Sequence, residues 1–345
     1  MMDLKSLTKE ELEAFLLEKG EKKYRAAQLY EWMHRHLAGS FEEMGNLPKS
    51  MKEMLAKECV LTCLQTERLQ ISKLDGTRKY LFALSDGQMI ESVWMPYHHG
   101  NSVCISSQAG CRMGCKFCAS GIGGLVRNLT PSEMLDQIYR IQRDTGERVS
   151  NVVVMGTGEP LDNYDNLMRF LQLLTDENGL HISQRNVTVS TCGLVEQIRA
   201  LAQEKLAITL ALSLHAPTDE KRKQIMPIAH KYTLDEVVGA VADYGQITGR
   251  RVTFEYSLIA GVNDSDEDVK NLSELALRAG AHVNLIPVNP VTEAGYRAPD
   301  RRAAKAFADK LEQNRVNATI RRTIGADIDA ACGQLRRKVR LEGED

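Results

Sequence analysis

The sequence lacks several features that would settle its class at once. None of its apolar runs approaches the roughly 18 residues of a membrane helix. The opening "MMDLKSLTKEELEAF" has no basic stretch leading into an apolar one, so no secretory leader is expected. Charge of one sign is lacking as well: 44 Lys and Arg against 46 Asp and Glu leave a net charge of −2. Bulk charge therefore announces no nucleic-acid partner, although a local basic face stays open. There is no low-complexity linker and no sequence-level repeat. What remains is an ordinary globular composition, 43% apolar and 26% charged. The 345 residues suffice for two domains, or for one large domain with an appendage.

Cysteine is present, and in a pattern. The eight are Cys59, Cys63, Cys104, Cys111, Cys115, Cys118, Cys192 and Cys332. Three of them fall within "CRMGCKFC" (111–118). Without a leader, such a cluster reads as metal-binding or catalytic thiols of a reducing, cytoplasmic compartment rather than as disulfides. A structural zinc ion usually takes four protein ligands, commonly in two separated pairs. Here no second pair stands at zinc-ribbon spacing, and Cys104 or Cys332 could complete a site only by tertiary contact. An iron–sulfur cluster is the other reading. Three thiolates on a four-iron cluster leave one iron open to a small molecule.

Periodicity divides the chain. Residues 1–60 read as short helices, with a Thr8/Glu11 capping box, a stop at Gly20, and helical spacing through "YRAAQLYEWMHRH" (24–36). Residues 61–96 carry β-formers around Asp75-Gly76 and Asp86-Gly87, which predicts a connector of hairpins. From residue 97 to 330, short apolar runs alternate with helical stretches. The runs are 102–107, 151–156, 186–190, 207–215, 251–258 and 282–288, with "NATIRR" (317–322) as a seventh strand. A helix starting at Pro131 has Thr130 as its cap and Glu133 completing the box. This alternation predicts a parallel α/β sheet, open or barrel-like, with function at the C-terminal ends of the strands. Residues 331–345 form a C-terminal tail.

Taken together and in this order, "NSVCISSQAGCRMGCKFCAS", "VVVMGTGEPLDNYDN", "VTVSTCG", "LALSLHAP", "NLIPVNP" and "GADIDAACGQL" resemble the RlmN/Cfr family of radical S-adenosylmethionine (SAM) RNA methyltransferases. The likeness runs from about residue 80 to 335, and more loosely over the N-terminal helices. It is closer to the RlmN branch than to the Cfr branch. The resemblance implies a partial (β/α)6 barrel with a helical accessory domain at residues 1–60 that docks RNA. It implies a [4Fe–4S] cluster on Cys111, Cys115 and Cys118, and two SAM molecules per turnover. The SAM site would comprise Gly158, Glu159, Ser190, Ser213, Leu214, His215 and Asn289. The glycines of "GTGEP" (156–160) would let the backbone approach the ligand, and Glu159 would accept from the SAM ammonium.

The same resemblance gives three residues a covalent role. Adenine carbon is a poor nucleophile, so direct methyl transfer should fail. Cys332 would take a methyl group from one SAM. A radical made from a second SAM would convert that methyl to a methylene radical, which adds to the base. Glu91 would remove the carbon-bound proton. Ile90, Val93 and Trp94 would supply the apolar pocket that a carboxylate base benefits from. Cys104 would then attack Cys332 and release the methylated base as a disulfide forms. The implied targets are adenosine C2 in 23S ribosomal RNA, at the peptidyl transferase centre, and in transfer RNA, at the adenosine 3′ of the anticodon. C8 is the position methylated by the resistance branch. A reductant protein such as flavodoxin or ferredoxin, a monomer, and a cytoplasmic location complete the expectation. Cys59, Cys63 and Cys192 read as structural, and His98 and His99 as loop residues. Short basic runs at 21–25, 321–325 and 334–340 are candidate phosphate contacts.

Overall fold

The computed structural model describes residues 1–335 except His99 and Thr292. The basic run beyond Leu335 and the residue His99 thus lie outside the described residues. No helix among those described is long and apolar enough to cross a membrane.

The N-terminal part holds β1 (Met2–Asp3), α1 (Lys9–Glu18), α2 (Tyr24–His34), α3 (Lys49–Glu58) and β2 (Cys59–Val60). The Thr8/Glu11 capping box forms as predicted. Three antiparallel strands follow: β3 (Gln65–Ile71), β4 (Arg78–Ala83) and β5 (Met89–Met95), joined through the two Asp-Gly loops. They do not stand apart, because β5 pairs antiparallel with β6 (Asn101–Cys104) and so extends the main sheet.

After β6 come a small two-stranded ribbon, β7 (Gln108–Gly110) with β8 (Leu125–Asn128), and α4 (Pro131–Thr145). Between β7 and β8 lies the cysteine-rich loop. The chain then alternates through β9 (Val149–Val154), α5 (Tyr164–Thr175), β10 (Val187–Thr191), α6 (Val195–Gln203) and β11 (Thr209–Ser213). The short α7 (Asp219–Ile225) precedes α8 (Leu234–Thr248), β12 (Thr253–Leu258), α9 (Asp266–Ala279), β13 (His282–Pro287), α10 (Arg301–Gln313) and β14 (Ala318–Ile320). The sheet order is β14-β13-β12-β11-β10-β9-β6-β5-β4-β3. All pairings from β6 to β14 are parallel. This is the expected (β/α)6 partial barrel, with six helical crossovers and a seventh strand, and β3 and β14 as its edges.

Local chemistry explains the regular crossovers. α4, α8 and α9 each start on a capping box and end on a glycine in the left-handed region. The helices bury apolar stripes against Val152, Val154, Val187, Val189, Leu210, Leu212, Phe254, Val283 and Leu285, forming one continuous core. That core also takes in Leu12, Leu16, Leu29 and Met33 of the N-terminal helices. A buried pair fastens those helices to α4. Lys5 Nζ lies 2.7 Å from Asp136 Oδ1, and Asp136 Oδ2 accepts from the Leu64 N–H at 2.7 Å.

After β14 the chain folds back across the C-terminal ends of the strands. One side of this return is pinned to the β3–β4 loop by Ser72 Oγ–Asp327 Oδ1 (2.7 Å) and Gly325 N–Asp75 Oδ2 (2.9 Å). The other side meets the cysteine loop through Ala119 N–Gly333 O (2.7 Å) and Ser120 Oγ–Leu335 O (2.9 Å).

Candidate active site

The C-terminal strand ends open into a cavity of about 990 Å3, mouth included. Its walls include Cys111, Cys115 and Cys118 from one side, and Gly158, Glu159, Ser190, Ser213, His215 and Asn289 from the strand ends. Cys332 closes it from the returning tail. Ten of the thirteen residues singled out in the sequence therefore meet in one space. Leu214 does not line it: its side chain sits in the main core, and its backbone N–H donates to the Glu255 carbonyl at 3.1 Å. Cys104 and Glu91 lie next to the cavity rather than on its wall.

All three clustered cysteines are free thiols. Burial pushes the Cys111 thiol up to about 12, and Cys115 is raised by burial and then by the charges of Cys118 and Cys111. Among the described residues no three His, Cys, Asp or Glu side chains are gathered to hold a single metal ion. The thiols stand instead around one end of a cavity. That arrangement fits a multi-iron cluster, which takes one thiolate per iron, better than one tetrahedral ion.

The polar groups opposite are firmly set. Glu159 is buried, and burial raises its carboxyl above the ordinary range. Its Oε2 accepts from the Cys192 N–H at 2.7 Å and its Oε1 from the Leu161 N–H at 3.1 Å. His215 has φ +55, and its Nδ1 accepts from the Ser257 N–H at 2.9 Å. A backbone N–H can only donate, so the imidazole proton sits on Nε2. Burial pushes this imidazole down to about 3, which keeps it neutral. Ser190 and Ser213 share a hydroxyl contact of 3.2 Å. Asn289 Nδ2 donates to the Cys332 carbonyl at 3.0 Å and so holds the tail over the cavity.

The glycines of "GTGEP" have a reason other than ligand approach. A Cβ on Gly156 would meet the Ile105 carbonyl at 2.7 Å. One on Gly158 (φ +114) would meet Ser107 Oγ and Gln108 Cβ, both at 2.7 Å. The neighbouring strand end by itself demands the missing side chains.

Register explains the second group. Val93 pairs with Cys104, and Cys104 with Val153, so all three face the barrel interior. Strand alternation puts Glu91 on that face too. Ile328, Ala330 and Leu335 of the tail cover it. Burial pushes the Cys104 thiol up to about 12, and the charge of nearby Cys332 adds to the rise. Cys332 is itself exposed at the mouth. The residue is exposed but its thiol points into the cavity, where burial raises it and the Arg321 guanidinium opposes the shift.

Glu91 corrects one expectation. Of its predicted apolar neighbours only Val93 shares its face; Ile90 and Trp94 point to the opposite side and pack in the main core. Buried Lys79 stands beside it, with Nζ 3.6 Å from Oε1. Lys79 also donates to the Asp329 carbonyl at 3.1 Å, linking this carboxylate to the tail.

Other residues were not foreseen. Cys192, read as structural, lines the cavity, as do Met155, Thr191 and Glu255. Cys192 and Met155 stand just past strand ends, a placement that could have signalled them. Glu255 pairs with Arg321 at 3.6 Å, and Arg222 backs the wall from α7. Nothing in the sequence pattern points to those contacts.

Residues 105–273 match the radical SAM superfamily, and residues 2–61 match the ribosomal RNA large subunit methyltransferase N-terminal domain. A partial barrel that opens onto three clustered thiols, with this match, defines a radical SAM enzyme. The chain is 60% identical to a probable dual-specificity RNA methyltransferase RlmN of Lachnospira eligens, covering 98% of this chain and 97% of that one. It is 52% identical to a protein of the same description from Alkaliphilus oremlandii, covering 98% of each. The crystal structure of a radical SAM methyltransferase from Sphaerobacter thermophilus superposes with a TM-score of 0.94 at 44% identity, covering 97% of this chain and 99% of that one. The chain belongs to the RlmN family of radical SAM RNA methyltransferases.

Proposed function

We propose that this enzyme methylates C2 of adenosine in 23S ribosomal RNA and in transfer RNA through a covalent link to Cys332. Cys111, Cys115 and Cys118 hold the [4Fe–4S] cluster in this reading. Glu159, Ser190, Ser213, His215 and Asn289 bind SAM, with Gly158 shaping the turn. Leu214 contributes through its backbone. The cluster and SAM, when bound, supply a 5′-deoxyadenosyl radical. Two SAM molecules are used per turnover, one as methyl donor and one as radical source.

The chain's own residues do the rest. The Cys332 thiolate takes a methyl group and becomes a thioether. After hydrogen abstraction, its methylene carbon bonds to adenine, and the adduct radical gives up one electron, for which the oxidised cluster would be the acceptor. Glu91 accepts the proton from that ring carbon. Cys104 attacks the Cys332 sulfur, the sulfur–methylene bond breaks, and the freed carbon takes a proton to become the methyl group. Alkylation also removes the negative charge of Cys332, one of the causes that hold the Cys104 thiol protonated. The observation that carries this reading is the shared inward face of Glu91 and Cys104 beneath the segment that bears Cys332. The N-terminal helices serve as the RNA-docking module. A flavodoxin or ferredoxin supplies electrons, and the enzyme works as a monomer.

The test is a product assay on anaerobically reconstituted enzyme with deuterated-methyl SAM, a reductant, and each RNA separately. Labelled 2-methyladenosine supports the reading and identifies the substrate. Labelled 8-methyladenosine reassigns the chain to the other regiochemistry, and SAM cleavage without a methylated base removes the RNA assignment.

A further inference from the structure

Among the described residues Arg222 is the largest fully buried side chain. No carboxylate pairs with it among the described residues. Its Nη2 donates to the Cys192 carbonyl at 2.6 Å and more weakly to the Ser213 carbonyl at 3.4 Å; its Nε donates to the Leu214 carbonyl at 3.2 Å. Nη1 is buried with no acceptor. A guanidinium taken out of water without a counter-ion is costly, and proteins keep one where an anion stands nearby.

The surroundings locate that anion. The Lys116 N–H donates to the Ile225 carbonyl at 2.9 Å, which ties the cysteine loop to α7. Ile225, Met226, Cys192 and Phe117 form a small apolar cluster, with Cys115 and Cys118 packed against it. Arg222 stands within this layer, behind the wall that carries the thiols. Burial disfavours its charged form; Cys192, Cys115 and, after them, the Asp219 carboxylate favour it. Three thiolates on a [4Fe–4S]2+ core carry a net charge of −1, and adding one electron makes it −2.

We propose that Arg222 is the fixed counter-charge of the reduced cluster, and that it holds the cluster's reduction potential within reach of its donor. Charge and hydrogen bonding near the sulfurs are general determinants of such potentials. Arginine suits the position because it resists losing its proton on burial, where lysine yields more readily. Its three carbonyl contacts fix the guanidinium at the ends of β10 and β11.

This rests on the cluster being held by Cys111, Cys115 and Cys118, so the experiment first measures iron and sulfide in the reconstituted wild-type protein. Absence of both there defeats the cluster assignment itself. The inference is tested by redox titration followed by electron paramagnetic resonance, without SAM or RNA. Arg222→Met and Arg222→Gln should keep the cluster and lower the ratio of reduced to oxidised cluster at a fixed potential by at least tenfold, ~59 mV for one electron. Arg222→Lys should stay closer to wild type than either. If the Met variant does not fold, the Gln variant, which keeps an N–H donor for the Cys192 carbonyl, carries the same expectation. A loaded neutral variant with an unchanged ratio overturns the proposal. So does a Lys variant shifted as far as the neutral ones. Loss of the cluster in all three variants would reduce Arg222 to a clamp on strand-end carbonyls.

Discussion

Cys332 and Cys104 are both cysteines, but their settings differ, as the proposed division of labour requires. Cys332 is exposed at the cavity mouth, where a methyl donor and a base can reach it, whereas Cys104 is buried beneath the tail. Cys332→Ala should abolish methylation while iron content stays at the wild-type level; a fully active variant would remove the methyl-cysteine step. Cys104→Ala should leave the first bond to RNA intact and block its release. The expected result is a protein–RNA adduct on a denaturing gel, and its absence under turnover conditions counts against the resolving role. Gly158 is constrained by both its backbone conformation and packing. At φ +114 an alanine is strained, and its Cβ meets Ser107 and Gln108. Gly158→Ala should cost about 1–3 kcal/mol, read by chemical denaturation, before any loss of SAM affinity is counted.

Between elements, the notable interface is that of the N-terminal helices with α4. His34 of α2 contacts the Tyr139 hydroxyl at 2.7 Å through Nδ1 and is fully buried. Burial, helped by the Lys5 charge, moves its pKa from 6.5 to about 3. The unfolded chain binds a proton near 6.5 that the folded protein refuses until about 3. The neutral histidine's contribution is therefore complete above pH 6.5 and is lost as pH falls toward 3. The slope is up to about 1.4 kcal/mol per pH unit. His34→Gln should flatten that slope when stability is compared near neutral pH and near pH 5. An unchanged slope would mean the histidine is reached by protons in the folded state. The helices themselves were legible, because Thr8, Glu11, Thr130 and Glu133 are local signals that the fold honours. The seven parallel strands were legible too, since strands covered on both faces keep apolar runs. Glu91's surroundings were not: proximity along a strand puts Ile90 on the other face, while Lys79 arrives from the next strand. Arg222 was equally hidden, because its partners are backbone carbonyls, which every sequence offers.

At the scale of the molecule, the tail and the β3–β4 loop form one rim of the cavity mouth, and the cysteine loop forms another. In the proposed reaction RNA must bring a single base out of its stack to reach Cys332. Among the described residues, Arg321 and Arg322 are exposed basic groups on the segment between β14 and the tail. They are not equivalent. Arg321 is tied to Glu255 at 3.6 Å and faces Cys332, so its removal should disturb chemistry as well as binding. Arg322 forms no ion pair among the described residues and is placed to meet phosphate. A second basic group, Lys22 and Lys23, is exposed at the start of α2, with Arg25 lying over the Tyr24 ring at 4.9 Å. If RNA spans both, each phosphate contact contributes separately to a salt-dependent affinity. Arg322→Ala should then weaken ribosomal and transfer RNA alike and reduce the slope of log affinity against log salt by about one. Single-turnover methylation at saturating RNA should be unchanged. Titrations at several salt concentrations decide it: a slope equal to wild type means that Arg322 is a solvated face and that RNA enters over a different rim.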